Sequence, residues 1–243
     1  MELVKLLIFL ILITVNMLTY GKNLVIGVVK NEPPYTSAFA NSNGYYGFCI
    51  DLMDEICSRL QESCQYTETT FDKQLEDLRK GRYDMTFFPS PITPTKNEDY
   101  LYTLPYLLST GQFMTLVNSN IYSIKELKDK KIGVLKASFL KNNFLSHYTS
   151  LANVYEFTDT TLLLNALSFQ RIDAILINNS VAKYLVNNVG NLRLLGKPVP
   201  LGMGYGISLL KTNADLANKI NKILLQMQTD GTYERIYNKY FGY

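Results

Sequence analysis

The chain has 243 residues, which is enough for one large domain or for two smaller ones. Its hydrophobic content of 47% and its charged content of 19% are ordinary for a globular protein. The formal net charge of +3 is too small to predict binding to nucleic acid.

The N-terminal residues predict an export signal. Lys5 precedes an apolar run over residues 6–15, and small residues follow at 19–21, where a signal peptidase could cut. The run is shorter than the roughly 20 residues that a membrane span requires. We therefore expect a signal peptide over residues 1–21, a cut after Gly21, and a soluble exported protein.

The first half of the mature chain carries alternating strand and helix patterns. Residues 24–29 and 83–88 predict buried strands. Between them, four apolar residues at helical spacing predict a helix: Met53, Ile56, Cys57 and Leu60. Asp72 is expected to cap a short second helix that stops at Gly81.

Three cysteines accompany the first helix, namely Cys49, Cys57 and Cys64. Their spacing fits no zinc motif and the chain has one histidine, so neither a metal site nor another cofactor is expected. Two readings stay open in an oxidising compartment. Cys57 and Cys64 form a disulfide, or Cys49 and Cys57 are small buried apolar residues.

The second half repeats the alternation. Ser123 and Glu126 form a capping box that predicts a helix start. Residues 132–135 and 173–177 predict strands, and Asp159 or Thr160 caps a helix before the second of them. A long C-terminal helix follows from one apolar stripe: Leu216, Ile220, Ile223, Leu224 and Met227.

Strands that alternate with helices predict parallel-type sheets covered on both faces. Two such units are present, one before about residue 108 and one after about residue 114. The pattern by itself would suggest two consecutive domains.

Five motifs that follow one another along the chain indicate a more specific fold than two consecutive domains. They are Gly-Phe-Cys-Ile-Asp-Leu at 47–52, Ile-Thr-Pro-Thr-Lys at 92–96, Thr-Leu-Pro-Tyr at 103–106, Lys-Ile-Gly-Val-Leu-Lys-Ala-Ser at 131–138, and the aromatic-rich segment at 230–242. Together, over residues 22–243, they resemble the type-3 extracellular solute-binding proteins. These are periplasmic amino-acid receptors of ABC importers, and they are related to the ligand-binding cores of ionotropic glutamate receptors.

The resemblance implies an α/β fold of the periplasmic-binding-protein-like type II class. Two α/β lobes are expected, joined by a two-crossing hinge with a ligand cleft between them. Lobe 1 would comprise residues 22–109 and 205–243, and lobe 2 residues 110–204. Gly202, Gly204 and Gly206 suit the returning crossing, which must flex.

The resemblance also implies where a ligand is held, and two positions depart from the family pattern. Lys96 stands where an arginine usually binds the ligand carboxylate, so the charge is kept but the two-pronged geometry is lost. Asn178 stands where an acid usually binds the ammonium group, which an amide cannot neutralise. The competing readings are an exposed lysine at 96 and a helix cap at 178.

Glu32 is the candidate substitute for the missing acid and would favour a cationic group on the ligand; its other reading is structural. Tyr35 is expected either to stack on the ligand or to pack within its lobe. The remaining ligand contacts implied by the resemblance are Pro89, Ser90, Pro91, Ser138 and Phe139. Among these, Ser138 keeps a hydroxyl and a backbone amide at a helix start, whereas Pro91 replaces a residue that usually donates to the ligand.

The expected function is that of a secreted, periplasmic solute-binding protein. As a monomer it would capture an amino acid or derivative for an ABC permease in the inner membrane, without nucleic acid as a partner. One alternative is a diverged receptor or sensor without a transport role. The other is a cyclohexadienyl-dehydratase-like enzyme, but Asn178 cannot serve as its general acid and Glu32 would have to act alone. We therefore expect no enzymatic activity.

Overall fold

A computed structural model describes residues 23–41, 44–87, 92, 99–136 and 153–242. The predicted signal peptide lies outside these ranges. So do six of the predicted ligand contacts: Pro89, Ser90, Pro91, Lys96, Ser138 and Phe139.

The first sheet combines the N-terminal half of the chain with a strand that returns late. Its strands are β1 (Asn23–Val29), β4 (Ser63–Thr69), β5 (Met85–Thr86), β6 (Tyr100–Tyr102) and β12 (Ser208–Leu210). Their spatial order is β4-β1-β5-β12-β6. β1 pairs in parallel with β4 and β5, whereas β12 is antiparallel to both of its neighbours. We call this sheet and its helices lobe 1.

The second sheet is built from the middle of the chain. Its strands are β7 (Thr110–Leu116), β8 (Lys131–Leu135), β9 (Asn153–Phe157), β10 (Ala174–Asn178) and β11 (Leu192–Pro200), in the order β11-β7-β10-β8-β9. β8 is parallel to β9 and β10, and β7 is antiparallel to β10 and β11. We call this sheet and its helices lobe 2. Both sheets are therefore mixed, and the prediction of parallel-type sheets is wrong for the strands next to the crossings.

Six α-helices surround the two sheets in the described part of the chain. They are α1 (Phe48–Leu60), α2 (Gln74–Arg79), α3 (Thr160–Ser168), α4 (Asn179–Val189), α5 (Ala214–Thr229) and α6 (Thr232–Phe241). A short hairpin, β2 (Ser37–Ala38) with β3 (Tyr45–Tyr46), precedes α1. Two 3-10 turns cover Ile124–Leu127 and Lys211–Asn213. The α/β class expected from the alternating patterns is confirmed.

Apolar packing at Phe48 explains the aromatic-rich C-terminal segment. Phe48 begins α1 and is fully buried. Its ring centroid lies 5.0 Å from that of Phe241 and 6.3 Å from that of Tyr237, both on α6. Edge-to-face and tilted pairs of this kind add to the free energy gained by burial. The end of the chain is thereby fixed against the first helix of lobe 1.

Two of the predicted helix starts are wrong in detail. α2 begins at Gln74 after Lys73, and the Asp72 carboxylate instead accepts a hydrogen bond from Thr70 and pairs with Lys136. The capping-box pair exists, since the Ser123 hydroxyl donates to Glu126, but it opens a four-residue 3-10 turn. Asp72 has its side-chain partners outside the helix, at Thr70 and Lys136, whereas Ser123 bonds to a side chain within the turn itself.

The strand predicted over residues 83–88 is also shorter than expected. β5 covers Met85–Thr86, and the residue before it, Asp84, donates its backbone N–H to the carbonyl of Val25 on β1 at 2.8 Å. The Tyr83 side chain is buried and its hydroxyl donates to the carbonyl of Gln74 on α2. None of the described helices is long and apolar enough to cross a membrane.

Two crossings connect the lobes and run side by side. The backbone N–H of Tyr106 donates to the carbonyl of Tyr205 at 2.8 Å, and the N–H of Tyr205 donates to Leu107 at 2.7 Å. Leu201 adds a bond to the carbonyl of Ser109 at 2.9 Å. Gly204 lies between these contacts with φ at 114°, a conformation that favours glycine.

Candidate functional site

A cavity of about 230 Å³ lies between the two lobes. Lobe 1 contributes residues 29–32 and 68–71, and lobe 2 contributes residues 158–161. These segments follow the carboxyl ends of β1, β4 and β9, where ligands of open α/β sheets usually bind. The cavity is smaller than the about 300–1,000 Å³ of drug-sized sites, so it suits a small molecule.

Glu32 is the most deeply buried ionisable group in this lining, with 2% of its surface exposed. A tight turn holds it. Its backbone N–H donates to the carbonyl of Thr36 at 2.8 Å, and its own carbonyl accepts from Tyr35 at 2.9 Å. Its carboxyl oxygen Oε1 accepts a hydrogen bond from the hydroxyl of Thr160 on lobe 2 at 2.6 Å. Glu32 therefore links the two lobes as well as lining the cavity.

The environment of Glu32 favours its neutral form. Burial is the main cause that raises the pKa of its carboxyl to about 8; the hydrogen bond from Thr160 acts against this rise, and the charge of Asp159 adds to it. At neutral pH, the carboxyl in this arrangement is therefore mostly protonated. A positive charge placed beside it would offset the cost of desolvation and favour the carboxylate.

The cavity lining carries more acid than base among the residues that the structure describes. Its acids are Glu32, Glu68 and Asp159, and its base is Lys30. Lys30 pairs with Glu68 at 3.0 Å, which leaves Glu32 and Asp159 without a basic partner among the lining residues that the structure describes. Asp159 also caps α3, accepting from the backbone N–H of Leu162 at 2.8 Å. The arrangement favours a cation over an anion.

Asn178 lies at the end of β10, buried beside the first turn of α4. Its Oδ1 accepts from the backbone N–H of Ser180 at 2.8 Å and from the hydroxyl of Tyr35 at 2.7 Å. Its Nδ2 donates to the hydroxyl of Tyr205. The reading of Asn178 as a helix cap is confirmed, whereas its contact with a ligand stays a prediction.

The structure brings three of the predicted site residues, Glu32, Tyr35 and Asn178, to the boundary between the lobes. Tyr35 is fully buried there and packs near Phe241, with ring centroids 5.9 Å apart. The other six predicted contacts lie outside the described residues, so their roles stay predictions. Within the described ranges, no three Asp, Glu, His or Cys side chains are grouped so that they could hold a metal ion.

Sequence reasoning did not select Asp159, Thr160 or Tyr205 as site residues. Asp159 and Thr160 were recognised as candidates for a helix cap, and a cap that follows a strand lies at the edge of the sheet where clefts open. Tyr205 offered a weaker signal, since it is the large residue between Gly204 and Gly206. Its partner on lobe 2 is 27 residues away in sequence, and no local pattern predicts that contact.

Known proteins are similar to this chain over most of its length. The model of the bacterial extracellular solute-binding proteins, family 3, matches residues 24–243. The histidine-binding periplasmic protein of Escherichia coli K12 is 27% identical over 232 residues, covering 91% of this chain and 88% of the relative.

Two solved structures are similar over most of the chain. An arginine third transport system periplasmic binding protein from Legionella pneumophila has a TM-score of 0.86 at 35% identity, covering 90% of this chain and 99% of that one. An ancestral arginine-binding protein bound to glutamine has a TM-score of 0.81 at 29% identity, covering 91% and 98%. The resemblance inferred from the motifs and the expected fold class are confirmed. The chain belongs to the bacterial extracellular solute-binding proteins of family 3.

Proposed function

We propose that this chain is the periplasmic receptor of an ABC importer and that its ligand is a cationic amino acid such as arginine. Membership of the family supports the receptor role, because the relatives are binding proteins. Several of them are named for arginine or histidine, which carry or acquire a positive side chain. The role as a binding protein, rather than an enzyme, follows the same relatives.

The buried carboxyl of Glu32 is the observation that carries the choice of ligand. It lies in the inter-lobe cavity with 2% of its surface exposed, beside the carboxylate of Asp159. A guanidinium or ammonium group in that cavity would gain two acidic neighbours and remove the cost of burying charge without a partner. A neutral side chain of similar size would gain neither advantage.

The rest of the proposal concerns how the molecule works. Lobe 1, residues 22–109 with 205–243, and lobe 2, residues 110–204, would close on the ligand by hinge motion at the crossings. Lys96 would bind the ligand carboxylate, with Ser90, Ser138 and Phe139 near it and Pro89 and Pro91 framing the loop. The chain would act as a monomer after removal of residues 1–21, and it would dock on an inner-membrane permease.

Thermal unfolding of residues 22–243 with candidate ligands tests the proposal. Arginine, lysine and histidine would be compared with glutamine, which has a neutral side chain. A ligand that binds the native state at 100 times its Kd adds about 2.7 kcal/mol to the free energy of unfolding. We expect that shift with arginine and a much smaller one with glutamine at the same concentration.

Two variants sharpen the test. Glu32→Gln keeps the size of the side chain and removes its charge, so the preference for arginine over glutamine should fall at least tenfold. Glu234→Gln makes the same change at an exposed position on α6 and should leave binding unaltered. Equal responses to arginine and glutamine in the unmodified protein would reject the cationic ligand, and a flat response to every amino acid would reject the receptor role as stated.

A further inference from the structure

Three buried polar side chains meet where the two lobes and the returning crossing come together. Tyr35 and Tyr205 are fully buried and Asn178 is 6% exposed. The hydroxyl of Tyr35 donates to Asn178 Oδ1 at 2.7 Å, and Asn178 Nδ2 donates to the hydroxyl of Tyr205. We refer to these residues as the inter-lobe triad.

The triad joins lobe 2 to two segments on the lobe 1 side of the molecule. Tyr35 follows the turn after β1 in lobe 1, where its carbonyl accepts from the backbone N–H of Cys49 at 3.0 Å. Asn178 is the last residue of β10 in lobe 2. Tyr205 lies on the returning crossing and is held there by backbone bonds to Tyr106 and Leu107. A hinge motion that moved lobe 2 away from lobe 1 would therefore separate Asn178 from the two tyrosine hydroxyls.

The hydrogen-bond capacity of Asn178 is largely used inside the protein. An amide oxygen has two lone pairs. Here Oδ1 faces three donors: the Tyr35 hydroxyl and the backbone N–H groups of Ser180 at 2.8 Å and Val181 at 3.3 Å. Its oxygen, the atom that would have to accept from a ligand ammonium group, is already occupied.

The two tyrosines are suited to this role because they stay neutral. Burial raises the pKa of Tyr35 well above its usual value and raises that of Tyr205 in the same direction. A neutral hydroxyl can donate to an amide oxygen or accept from an amide N–H without burying a charge. A carboxylate at position 178 could accept from both hydroxyls but would bury a charge, whereas the asparagine bonds to both tyrosines without one.

We propose that the inter-lobe triad stabilises the closed cleft, and that Asn178 acts through Tyr35 and Tyr205 as a closure residue instead of contacting the ligand. In this chain the asparagine thus holds one lobe to the other through neutral hydrogen bonds that form on closing. The proposal goes beyond the proposed function, because it concerns the balance between open and closed forms whatever the ligand is.

Distance measurements between spin labels on the two lobes test the triad. Labels would be attached to cysteines introduced at two exposed lysines, Lys183 on α4 and Lys222 on α5. The native cysteines do not interfere, since Cys49 is buried and the other two are paired. We expect Tyr205→Phe and Tyr35→Phe each to lower the ratio of closed to open molecules about three- to tenfold in ligand-free protein, as expected for one lost hydrogen bond.

Tyr100→Phe is the matched control. Its hydroxyl donates to the carbonyl of Leu75 at 2.7 Å within lobe 1, so its loss should not alter the ratio. A ligand-free protein that is fully open would overturn the proposal. So would a Tyr205→Phe variant as closed as the unmodified protein, or a control that shifts the ratio equally. Tyr35→Phe reports independently if Tyr205→Phe does not fold.

A second arm adds L-arginine to the labelled proteins. We expect the unmodified protein and all variants to close on arginine. The two triad variants should need a higher concentration of arginine than the unmodified protein. No response to arginine would count against the proposed ligand and leave the ligand-free comparison intact. The failure of one proposal is therefore distinguishable from the failure of the other.

Discussion

At the scale of single residues, Glu32 concentrates most of the chemistry of the cleft. It is buried, it is joined to Thr160 across the lobes at 2.6 Å, and the charge of the acid Asp159 raises its pKa. A carboxyl in such a place has two ways to avoid the cost of a buried charge. It can keep its proton, or it can meet a cation. Both lead to measurable dependence on pH.

Stability without ligand should fall as the pH rises from about 5 to about 8. The pKa of Glu32 is raised from 4.5 to about 8 in the folded protein, so the folded state holds a proton that the unfolded state loses in this range. The stabilisation is complete below pH 4.5 and is lost as the pH rises through 8. The contribution reaches at most about 5 kcal/mol. Urea unfolding at a series of pH values measures it.

Glu32→Gln supplies the comparison for this prediction. The amide keeps the hydrogen bond to Thr160 but does not titrate, so the decline between pH 5 and pH 8 should flatten in the variant. The same substitution at the exposed Glu234 should leave the decline in place. If the free energy of unfolding of Glu32→Gln fell with pH as steeply as that of the unmodified protein, the carboxyl of Glu32 would not be the source of the decline.

Binding of a cationic ligand should release a proton from Glu32 below pH 8. The ligand favours the carboxylate, which lowers the pKa of Glu32 in the complex from its free value of about 8. Affinity for arginine should therefore rise by up to about tenfold per pH unit between pH 6 and pH 8 and then level off. Calorimetry in buffers of different ionisation enthalpy counts the protons. Uptake, or no exchange at pH 7, would contradict the proposed contact.

At the scale of elements, the disulfide ties the end of α1 to β4. Cys57 and Cys64 are paired, with Cα atoms 6.2 Å apart and a sequence separation of 7, so the open reading of these cysteines is resolved. Cys49 is free and lies on the buried face of α1, where burial raises the pKa of its thiol to about 12. A thiol of that kind is a small apolar residue in practice and not a nucleophile.

Reduction of this disulfide should destabilise the protein by about 2 kcal/mol, because the closed loop is short and the entropy it removes from the unfolded chain is modest. Guanidinium unfolding with and without a reductant measures the difference. A Cys57→Ala, Cys64→Ala double variant should show the reduced stability and no further response to reductant. A response in the double variant would assign the effect to another group.

The elements that the sequence predicted correctly are those whose burial follows a regular period. The stripe of α5 is the clearest case, with Ile220, Ile223, Leu224 and Met227 buried as expected. The errors at Asp72 and Ser123 have a different cause. Each side chain has a choice of partners, and the choice depends on residues that the fold brings close, such as Lys136 for Asp72.

The candidate site was predictable to the extent that motifs mark loop positions. Glu32 and Asn178 were located because the family resemblance assigns ligand contacts to their positions. Thr160 and Tyr205 were not, because their importance lies in contacts across 128 and 27 residues of sequence. The sequence shows which side chains are polar. Which of them pair with each other depends on the tertiary contacts between the two lobes.

At the scale of the whole molecule, the two crossings determine the relative position of the lobes. Gly204 is where they approach most closely. A Cβ atom built there would lie 2.6 Å from Pro105 Cβ and 3.0 Å from the carbonyl oxygen of Leu107, both on the outgoing crossing. Its φ of 114° adds a backbone conformation that an L-residue rarely adopts. The hinge therefore depends on a glycine at this position.

Gly204→Ala should weaken both stability and ligand binding. Gly81→Ala is its control, since Gly81 also has a positive φ, of 69°, but open space around its Cβ position. The control should lose only the cost of the backbone conformation, about 1 kcal/mol. Gly204→Ala should lose about 1–3 kcal/mol more in urea unfolding, because the crossings must separate.

If the crossings hold the lobes in register for closure, ligand affinity should fall for Gly204→Ala and not for Gly81→Ala. Equal losses in the two variants would show that the close approach of the crossings does not control how the lobes meet.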